Sequence, residues 1–449
     1  MITYPAGRGK RNRRISLLPL HRGIHILLDC GARLKGDELY PDYERLLYEL
    51  NDYSDLDLIL ISHAHYDHIG SIARIASLAP NAEIITTEAS KRLIYTQLLE
   101  FGRISGRKEI DKIKNERYRK AQILMERIHT RPVAKPFLIH GCKITLLPAG
   151  HMPGAVMIHL ETGHHDILYT GDFSLASMFG VNGMRLPEQL HPKTLLINIP
   201  NAYQKEDTWE NLFSEGTPTD LPASYSGLKD IIQEHRKLGD GIYLVSRSIP
   251  KHLDLFYFLS SVFPELPVYL EPKSRAVADI LSDMGYQIYT PNIHITENIP
   301  TKNCIVVGQE AKRTGCVSIP FDNYSLHASI PETLSFIQYL MPDFMYVLHT
   351  RPVKEKIPLA HAVKKLQPTL NAVQSVNGEK YYLKRTKKMK YDQIYRSVME
   401  EELEIAEKQL SEYRRGRINP LLNGLPFMGA CCIRDCIHTM LITNFRILL

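Results

Sequence analysis

The sequence predicts an α/β fold, and three observations predict it. Short apolar runs that end in polar or glycine-bearing turns recur through the first 200 residues, amphipathic helical periodicities separate some of them, and a second strand-helix rhythm fills about 204–310. The early runs are HILLDCG (25–31), LDLILISHAH (56–65), AEIITTE (82–88), KITLLPAGH (143–151), AVMIHLE (155–161), DILYTGD (166–172) and TLLINIP (194–200). Each is too short for a free-standing helix and reads as a strand. GSIARIASLA (70–79) and ASKRLIYTQLLEFGRI (89–104) carry the apolar repeat of helices that pack on sheets.

In the second region, helices at 226–238, 250–262 and 274–284 alternate with strands GIYLVS (241–246), PVYLE (267–271) and NCIVVG (303–308). That alternation predicts a small parallel sheet with its own helices. Helix IPETLSFIQYL (330–340) and strand MYVLH (345–349) then resemble the first region again, so 204–310 reads as an insertion into a first domain. The expected organisation is 1–203, the insertion at 204–310, a return segment at 311–385 and a C-terminal extension at 386–449. The extension holds a charged helix candidate (391–415), read as a surface for homodimer or complex formation, and a tail with Cys431, Cys432 and Cys436. No zinc spacing fits that tail, which reads as buried thiols.

Composition narrows the class. A hydrophobic fraction of 44% and a charged fraction of 23% exclude disordered and collagenous chains. Seven scattered cysteines in 449 residues form no disulfide framework and point to a reducing, cytoplasmic compartment. The N-terminus lacks the apolar core of a signal peptide, and no run is long enough for a membrane span, so neither secretion nor a membrane is expected. The net charge is only +6, but 1–14, 101–131 and 384–390 carry +5, +6 and +5, leaving −10 elsewhere. Basic clusters on an acidic remainder suit a phosphate backbone, although 101–131 equally reads as a solvated helix face.

The chemistry centres on His63-Ala64-His65-Tyr66-Asp67-His68, directly after the strand LDLILIS. Three imidazoles and a carboxylate within six residues, displayed where a strand gives way to a helix, can hold two metals. Asp29, His151 and Asp172 also stand at strand ends. Each alone is a common cap or structural residue; together they complete a dinuclear hydrolase, with neutral histidines, a bridging carboxylate and an acid to orient an imidazole. His164 and His165 fall in a GHHD turn and read as exposed.

These motifs, in order, resemble the metallo-β-lactamase superfamily, whose fold is an αββα sandwich. The insertion, followed by NYSLHAS with His327 and MYVLHT with His349, resembles its β-CASP nuclease group, which includes ribonuclease J and the endonuclease of the pre-mRNA cleavage machinery. The resemblance implies two Zn2+: one on His63, His65 and His151, the other on Asp67, His68 and His349, with Asp172 bridging and Asp29 supporting the histidine loop. It implies phosphodiester hydrolysis by a two-metal-activated hydroxide, endonucleolytic and also exonucleolytic, with His327 as general acid or transition-state stabiliser. A histidine at the position of His349 implies RNA rather than DNA, and single-stranded RNA is the expected partner.

The chain departs from the group in three places. LLINIPNAY puts Pro200 or Asn198 where an acid is usual, Ser329 replaces the aspartate after His327-Ala328, and the glycine-rich first strand-turn is not evident in MITYPAGRGKRNRRISL. The first two changes remove acids that would orient His327 and His349. Two alternatives stand beside the ribonuclease: a hydrolase of a small ester or nucleotide with the insertion as a lid, and a non-catalytic scaffold subunit of an RNA-processing complex.

Overall fold

The computed structural model describes residues 2–3, 16–19, 23–35, 38–40, 46–47, 50–104, 119, 121–200, 202–205, 209, 223–321, 327–348, 353, 355–375 and 380–381. His349, the 391–415 helix candidate, the cysteine tail and the lysines and arginines of 1–14 and 384–390 lie outside the described residues.

Every early apolar run forms a strand: His25–Leu28, Leu58–Leu60, Glu83–Thr86, Cys142–Pro148, Val156–Glu161, Asp166–Tyr169 and Thr194–Asn198. They build two seven-stranded sheets. The first runs Lys380–Tyr381, Ile2–Thr3, Ser16–Pro19, His25–Leu28, Leu58–Leu60, Glu83–Thr86, Ile128–Thr130, and is parallel from His25–Leu28 onward. The second runs Asn371–Gln374, Phe344–Leu348, Thr194–Asn198, Asp166–Tyr169, Val156–Glu161, Cys142–Pro148, Phe137–Ile139, with its first four strands parallel and the rest antiparallel. The short strands Ile2–Thr3 and Ser16–Pro19 occupy the N-terminal stretch whose glycine-rich motif is missing, so pairing there does without it.

Alternation along the strands explains the layering, because successive side chains point to opposite faces. Ile26, Leu28, Leu58 and Leu60 of the first sheet cluster with Ile144, Leu146, Ile158, Leu160 and Ile167 of the second, filling the space between them. The intervening Leu27, Ile59 and Ile84 belong to a separate core with Ile72 and Ile75 of the helix Ile72–Leu78 and Leu93 and Ile94 of the helix Glu88–Ile104. Leu195, Ile197, Met345 and Val347 join that core beside Phe336, Ile337 and Leu340 of the helix Ile330–Leu340. The result is the expected αββα sandwich.

Thr194–Asn198 and Phe344–Leu348 are adjacent and parallel, so the chain leaves the sandwich after one and returns as the other. Between them lies a five-stranded, all-parallel sheet: Ile293–His294, Val268–Leu270, Cys304–Gly308, Gly241–Val245, Val317–Pro320. Helices Ala223–Lys237, Ile249–Val262 and Pro272–Asp283 alternate with its strands. Its edge strand Val317–Pro320 lies beyond residue 310. Among the described residues no helix is long and apolar enough to cross a membrane.

Residues 105–118 and 120 of the basic segment 101–131 lie outside the described residues, and two cations near its end have structural partners. Arg127 is half-buried and its guanidinium donates to the carbonyl oxygens of Ala76, Ala79, Pro80 and Ala82, capping the C-terminal end of the helix Ile72–Leu78. Arg131 lies over the Phe137 ring at 5.3 Å. Both cations serve the fold. The GHHD turn also departs from expectation: His165 is buried, its backbone N–H and that of His164 both donating to the Thr162 hydroxyl.

Asp254, buried in the helix Ile249–Val262, holds the loop that follows Asp172 by accepting the Gly180 N–H at 2.9 Å, while its Oδ2 has no hydrogen-bond partner. Burial lifts its pKa from 3.8 to about 6, with the Gly180 and Phe179 amides opposing the rise. Between those two values the folded state binds more protons than the unfolded state, so this group lowers stability as pH rises. Asp254→Asn keeps an acceptor for Gly180 and removes the charge. It is expected to unfold at higher denaturant than the parent at pH 7, by up to about 3 kcal/mol at ~1.36 kcal/mol per pKa unit, with the difference vanishing near pH 4. Denaturant titrations at both pH values check this.

Candidate metal centre

The histidine loop begins where the strand Leu58–Leu60 ends. His65, in extended backbone, stands at the N-terminal boundary of a short helix, Tyr66–Ile69, which carries half-buried Asp67 and buried His68 in its single turn. Residues two apart in extended chain face the same way, and His63 Nε2 lies 3.1 Å from His65 Nδ1. His151 and Asp172 arrive from the second sheet, each next to a glycine in the left-handed region. A Cβ on Gly150 would stand 2.4 Å from the Met184 nitrogen, and one on Gly171 would stand 2.7 Å from the Ser62 Cβ. The chain therefore turns into the site only without a side chain at those positions.

His63, His65, His151 and Asp172 bring one ligand atom apiece within 4.8 Å of one another. Asp172 Oδ2 is 3.9 Å from His63 Nε2, 3.8 Å from His151 Nε2 and 3.6 Å from His327 Nδ1, and its Oδ1 is 3.6 Å from His68 Nε2. His327 stacks on His151 with ring centroids 4.6 Å apart. Its side chain is 31% exposed, against full burial for Asp172, so it lines the open side of the group. Thus the structure brings together His63, His65, His68, His151, Asp172 and His327.

Asp29 lies beneath the loop, buried and in the left-handed region at φ 60°. Such backbone is strained for a residue with a side chain and persists where the surroundings demand it. Its Oδ1 accepts the Ser62 N–H at 2.7 Å; its Oδ2 accepts the Ser62 hydroxyl at 2.8 Å, the Tyr169 hydroxyl at 2.6 Å and the His68 Nδ1–H. The Ser62 hydroxyl has one proton, which goes to Asp29, so it accepts from His63 Nδ1–H at 3.0 Å. With the proton on Nδ1 in both bonds, the neutral form of each imidazole presents a bare Nε2 toward Asp172. Burial first, and then neighbouring His68, hold the His63 imidazole well below its ordinary pKa, which favours the neutral, ligating form.

These residues fit a divalent cation. His63 Nε2 and His151 Nε2 both stand 3.1 Å from His65 Nδ1, beside a buried carboxylate, the mixed nitrogen and oxygen set that borderline metals prefer.

Ser62, Tyr169 and Asn198 join the site through space, with no motif in the sequence to mark them. Asn198, noted only as the replacement for an acid, ends its strand inside the site, its Nδ2 3.5 Å from Asp172 Oδ1. Ser329, the other replacement, spends its side chain on the helix Ile330–Leu340: it accepts the Glu332 N–H while Glu332 accepts the Ser329 N–H. Its neighbour Ala328 donates to the Phe173 oxygen at 2.8 Å, tying the His327 segment to the chain just after Asp172.

An αββα sandwich with a histidine and aspartate cluster at its strand ends defines a metal-dependent hydrolase class. Residues 16–197 match the model of the metallo-beta-lactamase superfamily, and this part of the chain is a metallo-beta-lactamase domain. The chain is 27% identical over 207 residues to cleavage and polyadenylation specificity factor subunit 3-I of Arabidopsis thaliana, covering 45% of this chain and 29% of that protein. It is 33% identical over 151 residues to a probable RNase MJ4 of Methanocaldococcus jannaschii, covering 33% of each. The chain thus spans about a third of the length of the curated relatives it matches. These relatives belong to the β-CASP group that the sequence resembles. A crystal structure of a protein of unknown function from Enterococcus faecalis V583 shares the fold, with a TM-score of 0.53 at 16% identity over 84% of this chain and 98% of that one.

Proposed function

We propose that the protein is a zinc-dependent ribonuclease of the β-CASP group that hydrolyses phosphodiester bonds in single-stranded RNA. The observation that carries this reading is the convergence of His63, His65, His151 and Asp172 within 4.8 Å, with His327 3.6 Å from Asp172 on the open side. His63, His65 and His151 would hold one zinc; Asp67, His68 and His349 would complete a second site, with Asp172 between them. Bound metal would supply Lewis-acid polarisation of the phosphate and a lowered pKa for water, toward ~7. The protein's part is to hold the imidazoles neutral and oriented, through Asp29 and Ser62, and to exclude water beneath them. His327, with its Nδ1 3.6 Å from Asp172 on the open side of the group, would give a proton to the leaving oxygen. RNA as substrate is supported by the likeness to relatives with RNase and cleavage-factor names, and internal cleavage and trimming from an end are inferred from the resemblance to the β-CASP group.

Purified with zinc and incubated with end-labelled single-stranded RNA or DNA, the protein is expected to hold about two zincs and to cut RNA internally. His65→Ala and Asp67→Ala should lose that activity, and the parent's rate should fall steeply with salt if the basic clusters track phosphates. A metal-free protein, or cleavage untouched by either substitution, would sink the reading; a flat salt response would favour a small substrate.

A further inference from the structure

Asp29 and Asp172 belong to different sheets, yet two side chains join them. Tyr169 ends the strand before Asp172, and its hydroxyl crosses the sandwich to donate to Asp29 Oδ2 at 2.6 Å. Asn198 ends the neighbouring parallel strand, and its Nδ2 lies 3.3 Å from the Tyr169 hydroxyl and 3.5 Å from Asp172 Oδ1. Proton bookkeeping sets the direction of every link. The phenol has one proton and gives it to the carboxylate, so it accepts from the Asn198 amide; the second amide proton points to Asp172, which as a carboxylate can only accept. All four groups are buried. An acid at 198 would carry a third negative charge and, ionised, could donate to neither neighbour.

We propose that Tyr169 and Asn198 are positioning residues that act as one unit, linking the carboxylate beneath the histidine loop to the carboxylate facing the cluster and thereby setting the site's affinity for a divalent cation. The inference rests on the metal reading above. Asp29 orients His68 and, through Ser62, His63; Asp172 faces four imidazoles. A neutral donor chain between the two keeps both oxygen pairs turned toward their partners and lessens their mutual repulsion. Partners of this kind are typically worth ~10–100-fold in metal affinity.

The test is zinc affinity by chelator competition on the full chain: the parent, Tyr169→Phe, Asn198→Ala and the double variant, with near-ultraviolet circular dichroism to show native packing. Tyr169→Phe removes one oxygen and keeps the ring, so its fold should survive. Each single variant is expected to lose about 10–100-fold in affinity, and the double variant little more than the weaker single, because both break the same link. Affinities within about threefold of the parent would overturn the proposal, even with a lowered thermal midpoint, since that would be a structural role alone. Fully multiplicative losses in the double variant would overturn the unit. A parent that binds no zinc would overturn this proposal together with the metal reading, whereas a zinc-binding parent with unaffected variants would leave the reading standing.

Discussion

Asp172→Ala is expected to lower RNA cleavage by about 10³-fold or more, a barrier increase of at least ~4 kcal/mol at ~1.36 kcal/mol per decade. Its carboxylate lies between 3.6 and 3.9 Å from a nitrogen of each of His63, His68, His151 and His327, so one truncation removes the negative group that all four face. Loss of a residue that merely orients a ligand typically costs ~10–100-fold, and removal of a direct ligand should cost more. Metal content measured beside activity should fall with it. A folded Asp172→Ala protein with the parent's zinc content and rate would remove Asp172 from the site.

His327→Ala is expected to behave differently: a rate lower by about 10²–10⁴-fold, the range of general acid catalysis, with zinc content unchanged. The geometry separates it from the ligands. Its ring stacks on His151 at 4.6 Å and stays partly open to solvent, on the side of the group where a substrate can enter. Single-turnover cleavage and metal analysis on the same preparation check this. Zinc lost in parallel with rate would make His327 a ligand, and an unchanged rate would remove it from the reaction.

Much of this site was legible because its residues stand at strand ends within local patterns. The histidine loop declares itself in six residues, and the strands ending before Asp29, His151 and Asp172 are apolar runs that alternate or fill buried sheets. The helix Ile330–Leu340 matches its apolar repeat residue for residue, and Ser329 shows why the missing aspartate was no obstacle to it: serine caps a helix as well. What was not legible has a common cause. Ile293–His294 is a two-residue strand, too brief for periodicity to register, and Val317–Pro320 has only Ile319 buried, so it shows no apolar run; pairing with neighbours defines both. Arg127 looks like any surface cation until the ends of the helix Ile72–Leu78 and its following turn supply four carbonyls.

The sequence alone carries the alternation of strands and helices and the histidines and aspartates that stand at strand ends, because each depends on spacing over a few residues. Only the tertiary structure decided how those groups point. Asp29 takes donors from Ser62, His68 and Tyr169, and Asn198 reaches both Tyr169 and Asp172, across separations of 26 to 140 positions. Hydrogen-bond direction depends on where protons and lone pairs meet in space, and sheet packing brings them together.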